Sequence, residues 1–219
     1  MTAVEYLVVV FLVLLAGYLL LSFWWSRGTS PPAERAVAPP GRPQPAQGRG
    51  RIYLAPLGDF PAEGINHLVD YYRQKYGLTI QVVEPIPLDS AVVDSRTEQV
   101  VAEELMALMA RRQPVLANDP EAIVIGLTSV DMSIRGIPQW RWAFAARRDQ
   151  SAVVSTARMD PTNYHLPADP GLLNMRMRKM VTKQIGVLYF GLPQNTDWRS
   201  VLYSPVLGVD DLDRIGEDF

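Results

Sequence analysis

Residues 178–193 read RKMVTKQIGVLYFGLP, and the fold turns on how they are read. Met180, Val181, Ile185 and Leu188 recur at the spacing of one buried helix face, with basic residues between them. The pattern predicts a long helix over Leu172–Phe190, ended by Gly191 and Pro193. A helix running into such a glycine turn is a shape that many enzymes use to hold a metal. Yet the stretch contains no histidine, cysteine, aspartate or glutamate.

The rest of the chain sets the frame. It has 219 residues, 48% of them hydrophobic and 20% charged, which is the composition of a globular protein with a core. A net charge of −2 gives no reason to expect nucleic acid as a partner. Zero cysteines exclude disulfides, thiolate zinc sites and a cysteine nucleophile.

Tyr6–Trp25, YLVVVFLVLLAGYLLLSFWW, is 20 residues without a charge. At about 1.5 Å per residue a helix of that length crosses a hydrocarbon core of ~30 Å. Trp24 and Trp25 close it where indole rings favour the headgroup region. A cleaved signal peptide would want a basic start and a small-x-small cleavage site. The start here holds only Glu5, so residues 1–25 read as a retained transmembrane anchor in contact with the lipid bilayer. Residues 26–51 follow with six prolines, four glycines and five arginines, the composition of a disordered linker. Arg27, Arg35, Arg42, Arg49 and Arg51 lie after the span and no Lys or Arg before it. The positive-inside rule then expects a single-pass protein whose domain, residues 52–219, faces the cytoplasm.

Within that domain the pattern predicts α/β architecture. IYLAPL from Ile52 reads as a strand, Ile65 to Tyr76 as a helix stopped by Gly77, and LTIQVVEPIPL as a strand. Ser95 and Glu98 suggest a capping box opening a helix over EQVVAEELMALMARR. EAIVIGLT reads as a buried central strand, and WRWAFAAR and SAVVSTARM as two more strands joined at Arg148–Gln150. The expected order is β-α-β-α-β-β-β-α with a mixed sheet.

Four segments then resemble a known family in order and spacing. IYLAPLGDFP from Ile52, GLTSVDM at Gly126–Met132, AVVSTARM at Ala152–Met159 and the long helix after them are similar to the archaemetzincins, metzincin-type zinc proteases. The resemblance covers nearly all of Ile52–Phe219 and implies a metzincin-like mixed, twisted sheet with flanking helices. In that family the helix carries His-Glu-x-x-His-x-x-Gly-x-x-His, whose first two histidines lie one turn apart and chelate zinc.

None of those ligands carries over. If Gly186 is the glycine within the motif's core, Lys183, Gln184 and Val187 fill the His, Glu and His positions. If Gly191 is the later turn glycine, Gln184, Ile185 and Leu188 fill them. The third ligand slot falls on Pro193 or Gln194, and SVLYSPV puts Leu202 or Tyr203 where the family has its methionine turn. The expected cofactor is therefore none, with zinc lost.

Other residues do not rebuild a site. His67 reads as a helix-edge residue and His165 as a solvated loop residue in a segment resembling the family's cleft loop. Lys183 reads as solvated on the helix surface, Asp131 as a turn cap, and Asp210, Asp211 and Asp213 as a solvated face. Ser155 has no base in reach. Met106, Met109, Met175, Met177 and Met180 read as core filling. The resemblance implies that an edge strand borders the cleft and pairs with extended peptide, a mode that needs no zinc. WRWAFAAR is the candidate edge, with Trp140, Trp142 and Phe144 as candidate peptide contacts. The expectation is a membrane-anchored pseudoprotease that binds peptide or protein. The alternative is an active peptidase with a non-standard site.

Overall fold

The computed structural model describes residues 48–137 and 140–219. The anchor expected at Tyr6–Trp25 and the linker up to residue 47 lie outside the described residues. Among the described residues no helix is long and apolar enough to cross a membrane.

The strands are β1 (Arg51–Pro56), β2 (Ile80–Val82), β3 (Val93–Asp94), β4 (Gln99–Val101), β5 (Ala122–Thr128), β6 (Met132–Ser133), β7 (Ala145–Arg148) and β8 (Ser151–Ser155). The helices are α1 (Ala62–Tyr76), α2 (Ala102–Arg112), α3 (Pro114–Ala117), α4 (Pro170–Leu188) and α5 (Val209–Arg214). Five strands form one sheet in the order β2-β1-β5-β8-β7, and β3-β4-β6 form a small second sheet. In the large sheet every pairing is parallel except β7 against β8.

Strand alternation divides the core. Ile52, Leu54, Ile123, Ile125, Leu127, Ala152 and Val154 face a cluster shared with α1 and α4. Tyr53, Ala55, Ala122, Val124 and Val153 face the opposite cluster with α2 and the small sheet. β5 is buried along its whole length, as a continuous apolar run covered on both faces requires. Helix α1 turns Ile65, Leu68 and Tyr72 inward, each worth roughly 1.5–3 kcal/mol of burial, and ends on Gly77 in the left-handed region at φ 65. The Tyr72 hydroxyl meets Thr182 Oγ1 at 2.8 Å and ties α1 to α4.

Three expectations are corrected. Ser95 and Glu98 do not cap a helix: Gln99–Val101 is strand β4, and α2 begins at Ala102. Val100 and Val101 are buried against Met132 and Ser133 of β6, and that pairing outweighs the helical pattern. Of WRWAFAAR only the last three residues, from Ala145, are strand, the start of β7. Upstream, the Ala143 N–H donates to the Met132 carbonyl at 2.8 Å, so Trp140–Phe144 runs from the small sheet to the large one. The folded domain also starts before Ile52. Arg51 opens β1, donates its N–H to Glu121 O at 2.7 Å and pairs with Asp119 at 2.5 Å.

Candidate functional site

Strand β7 is the outer strand of the sheet and ends in a tight turn at Asp149, φ 53. Ser155 donates its N–H to Phe144 O at 2.8 Å, and the pairs continue as Ala145↔Val154, Ala146↔Val153 and Arg147↔Ala152. In an antiparallel ladder the backbone groups alternate direction. Phe144, Ala146 and Arg148 therefore point theirs at β8, while Ala145 and Arg147 turn theirs outward. Beside that edge lies a cleft of about 750 Å³. Its walls come from the Trp140–Phe144 segment, from β7, from Met180, Lys183 and Gln184 of α4, and from Gln194 and Ser204–Leu207 beyond it.

Helix α4 forms the floor, and it is covered on more than one side. Met177, Val181 and Ile185 pack in the core with the sheet. Arg176, Lys179 and Lys183, spaced by three and four residues, lie under the C-terminal segment. Arg176 chelates Asp213 at 2.7 and 2.6 Å. Lys179 donates to the carbonyls of Leu212 and Asp213 at 3.0 and 2.8 Å. Lys183 donates to the Tyr203 carbonyl. Lys183 is thus not solvated on the helix surface. It is 4% exposed, because the chain after the helix folds back over it. Burial, with the Arg147 charge adding to it, lowers its amine to a pKa of about 8.

Beyond Leu188 the chain turns at Gly191, whose φ of 64 lies in the left-handed region. That turn brings Gln194 back toward Gln184. Both side-chain oxygens accept from one guanidinium: Arg147 Nη1 reaches Gln184 Oε1 at 3.4 Å and Nη2 reaches Gln194 Oε1 at 2.6 Å. Burial also lowers the Arg147 pKa. Of the positions that the two registers assign to the ligand slots, Lys183, Gln184 and Gln194 line the cleft, while Val187, Leu188 and Pro193 do not. Val187 and Leu188 are both half-buried, and Pro193 and Gln194 are both exposed.

The remaining candidates are scattered. His67 on α1 contacts Arg178 at 3.0 Å, and burial and that cation lower its pKa. His165 is exposed in the loop before α4. Asp131 caps Met132 N, but its main role is different: it chelates Arg158 at 3.0 and 2.5 Å and accepts from Gln99 at 2.9 Å. Ser155 Oγ donates to the Val130 carbonyl at 2.6 Å. Of the C-terminal acids, Asp213 serves Arg176 and Asp211 accepts from Leu207 N at 2.9 Å. Among the described residues no three His, Cys, Asp or Glu gather in a metal-binding group. Met106, Met109, Met177 and Met180 are buried. Phe144 is buried and stacks edge-on against half-buried Trp142 with ring centres 4.9 Å apart, while Trp140 is exposed. The sequence reading missed Arg147; its signal was a charged residue inside an edge strand.

A mixed sheet with an antiparallel edge strand, a cleft beside it and a long helix turning at a glycine beneath define a metzincin-like zinc-peptidase fold. Specifically it is archaemetzincin-like, as three solved structures show. The zinc-dependent peptidase of Methanocorpusculum labreanum superposes with a TM-score of 0.64 at 20% identity, over 77% of this chain and 95% of its own. The archaemetzincin of Archaeoglobus fulgidus, solved with malonate, gives 0.61 at 19%, over 77% and 94%. That of Methanopyrus kandleri gives 0.60 at 21%, over 84% and 92%. No protein-family model and no curated protein sequence matches the chain.

The zinc that such a fold implies does not fit these residues. Zinc takes thiolate, imidazole or carboxylate donors. With Gly191 as the turn glycine the slots hold Gln184, Leu188 and Gln194, and with Gly186 in the motif's core they hold Lys183, Val187 and Pro193. Neither set has such a donor, and the Gln184 and Gln194 oxygens already accept from a guanidinium. Lys183 adds a second cation on the same wall.

Proposed function

We infer that the chain is a membrane-anchored pseudoprotease whose cleft binds extended peptide instead of cleaving it. One observation supports the reading: an edge strand borders a cleft, and on the wall of that cleft Arg147 bridges Gln184 and Gln194 of the segment that resembles the family's zinc helix. Strand addition at β7 uses the outward backbone groups of Ala145 and Arg147, and it works without a metal. Trp140 and Trp142 wall the same cleft and supply side-chain contacts to the strand. Residues 1–25 anchor the domain, residues 26–50 tether it, and the arginines after the span hold it on the cytoplasmic side.

The test uses the full chain in detergent. After dialysis it should hold no stoichiometric zinc and should show no chelator-sensitive cleavage of a peptide library. Zinc at one equivalent together with such cleavage would overturn the reading. Trp142→Glu should abolish peptide capture without unfolding the domain. A reporter after Phe219 should be active in the cytoplasm.

A second reading rests on Lys183, a buried amine lowered to about 8 on the cleft wall. A lysine in that state serves as a general base near neutral pH. Cleavage that survives chelator and vanishes in Lys183→Met would favour it.

A further inference from the structure

We propose that Arg147 and Lys183 form a carboxylate-reading site, so that the cleft selects extended peptides by a carboxylate group. The proposal rests on the peptide-binding reading above and adds the chemistry of the ligand. It comes from an imbalance of charge. Arg141, Arg147, Arg148 and Lys183 line the cleft against one acid, Glu103. Glu103 is already engaged, accepting the backbone N–H groups of Arg135 at 3.1 Å and Gly136 at 3.2 Å. Arg147 bonds only neutral amide oxygens, and Lys183 only a backbone carbonyl. Among the described residues neither has a carboxylate partner. Two cations held side by side without an anion repel each other, and the low dielectric of a cleft wall strengthens that repulsion.

A carboxylate relieves both costs at once. A guanidinium presents a planar fork of donors that matches a carboxylate, and such charge-assisted bonds are the strong ones. Gln194 is exposed, so its amide can give way while Gln184 keeps the guanidinium aimed along the helix. Because the Arg147 backbone belongs to the outward-facing set of β7, its side chain and the strand-pairing groups lie at one position of the edge. A peptide paired there brings one residue next to the guanidinium. The carboxylate is supplied by the peptide's C-terminus or by an Asp or Glu side chain.

Three peptides of one neutral, strand-forming sequence separate these sources: a free C-terminal acid, its C-terminal amide, and the amide with one internal Glu. Their binding to the full chain in detergent is measured by anisotropy. The acid or the Glu peptide should bind roughly ten- to a hundredfold more tightly than the neutral amide. Whichever does so identifies the source. Arg147→Met should reduce that peptide to the affinity of the amide, with Arg147→Lys restoring part of it, and a thermal melt confirms that both variants are folded. Equal binding of all three peptides overturns the carboxylate site while leaving peptide binding intact. Binding of none overturns both readings. An acid preference that survives in folded Arg147→Met also overturns the site.

Discussion

The two ends of α4 bury the same kind of side chain and satisfy it differently. At the N-terminal end Arg176 is 7% exposed and chelates Asp213, which raises its pKa. Lys179, in the middle of the helix and 3% exposed, stands between the two: burial lowers its pKa, but it reaches two carbonyls at the end of α5, where a helix terminus carries partial negative charge. At the C-terminal end Lys183 has one carbonyl and faces another cation. A buried charge with its counter-charge is architecture. A buried charge without one is held there at a cost, and such costs concentrate where proteins bind.

Substitutions separate the two ends by sign. The largest effect is expected at the compensated end: Asp213→Ala should destabilise the domain by about 2–3 kcal/mol in denaturant titration, since it strands a buried guanidinium. Its carboxylate is partly exposed, which keeps the loss below that of a fully buried pair. At the other end, Lys183→Met should stabilise. Holding the charge at pH 7 costs about 1.4 kcal/mol per unit of pKa depression, and losing the bond to Tyr203 returns about 1 kcal/mol. The fall from 10.5 to about 8 leaves a net gain of about 2 kcal/mol.

The pH dependence follows from the same group. Its folded pKa of about 8 lies below the ordinary 10.5. Between those values the unfolded chain binds the proton and the folded one does not, so this group's contribution to stability rises with pH. The advantage of Lys183→Met should therefore shrink from pH 8 upward and be constant below it. The groups facing the amine are Arg147 of β7 and the Tyr203 carbonyl, and neither titrates in that window. Gln194→Ala should have the smallest effect, about 0.5 kcal/mol, because its side chain is exposed. Destabilisation by Lys183→Met as large as that by Asp213→Ala would erase the distinction between the ends.

Much of the fold was legible in the sequence because it lies in local pattern. The run at Ala122–Thr128, the stripe of Ile65, Leu68 and Tyr72, and the stop at Gly77 each carry their own signal. The strand β4 was not legible. Three residues pair with two that lie 32 positions onward, and the helical pattern of the following segment masks them. The site divides the same way. That neither register of the helix supplies a zinc-type donor is written in its side chains. The burial of Lys183 is not: it depends on the segment that carries the Tyr203 carbonyl folding back over a helix that ends well before it. Arg147 was hidden for a similar reason, since only the turn at Gly191 brings Gln184 and Gln194 to it.

The strand order also has a consequence in time. β7 and β8 pair across a two-residue turn, a hairpin that closes within about 1–10 μs. β1 and β5 pair Ile52 with Ile123, closing a loop of 123 − 52 = 71 residues, and such non-local parallel contacts are slow to form. The hairpin is thus ready before the strand that will cover it. During that interval it presents two open edges, the situation in which chains add to one another and aggregate. Arg147 and Arg148 sit on that hairpin, and charges at such positions discourage strand addition by the wrong chain. The arginine that bridges Gln184 and Gln194 in the finished cleft thus also guards the nascent edge from which the cleft is built.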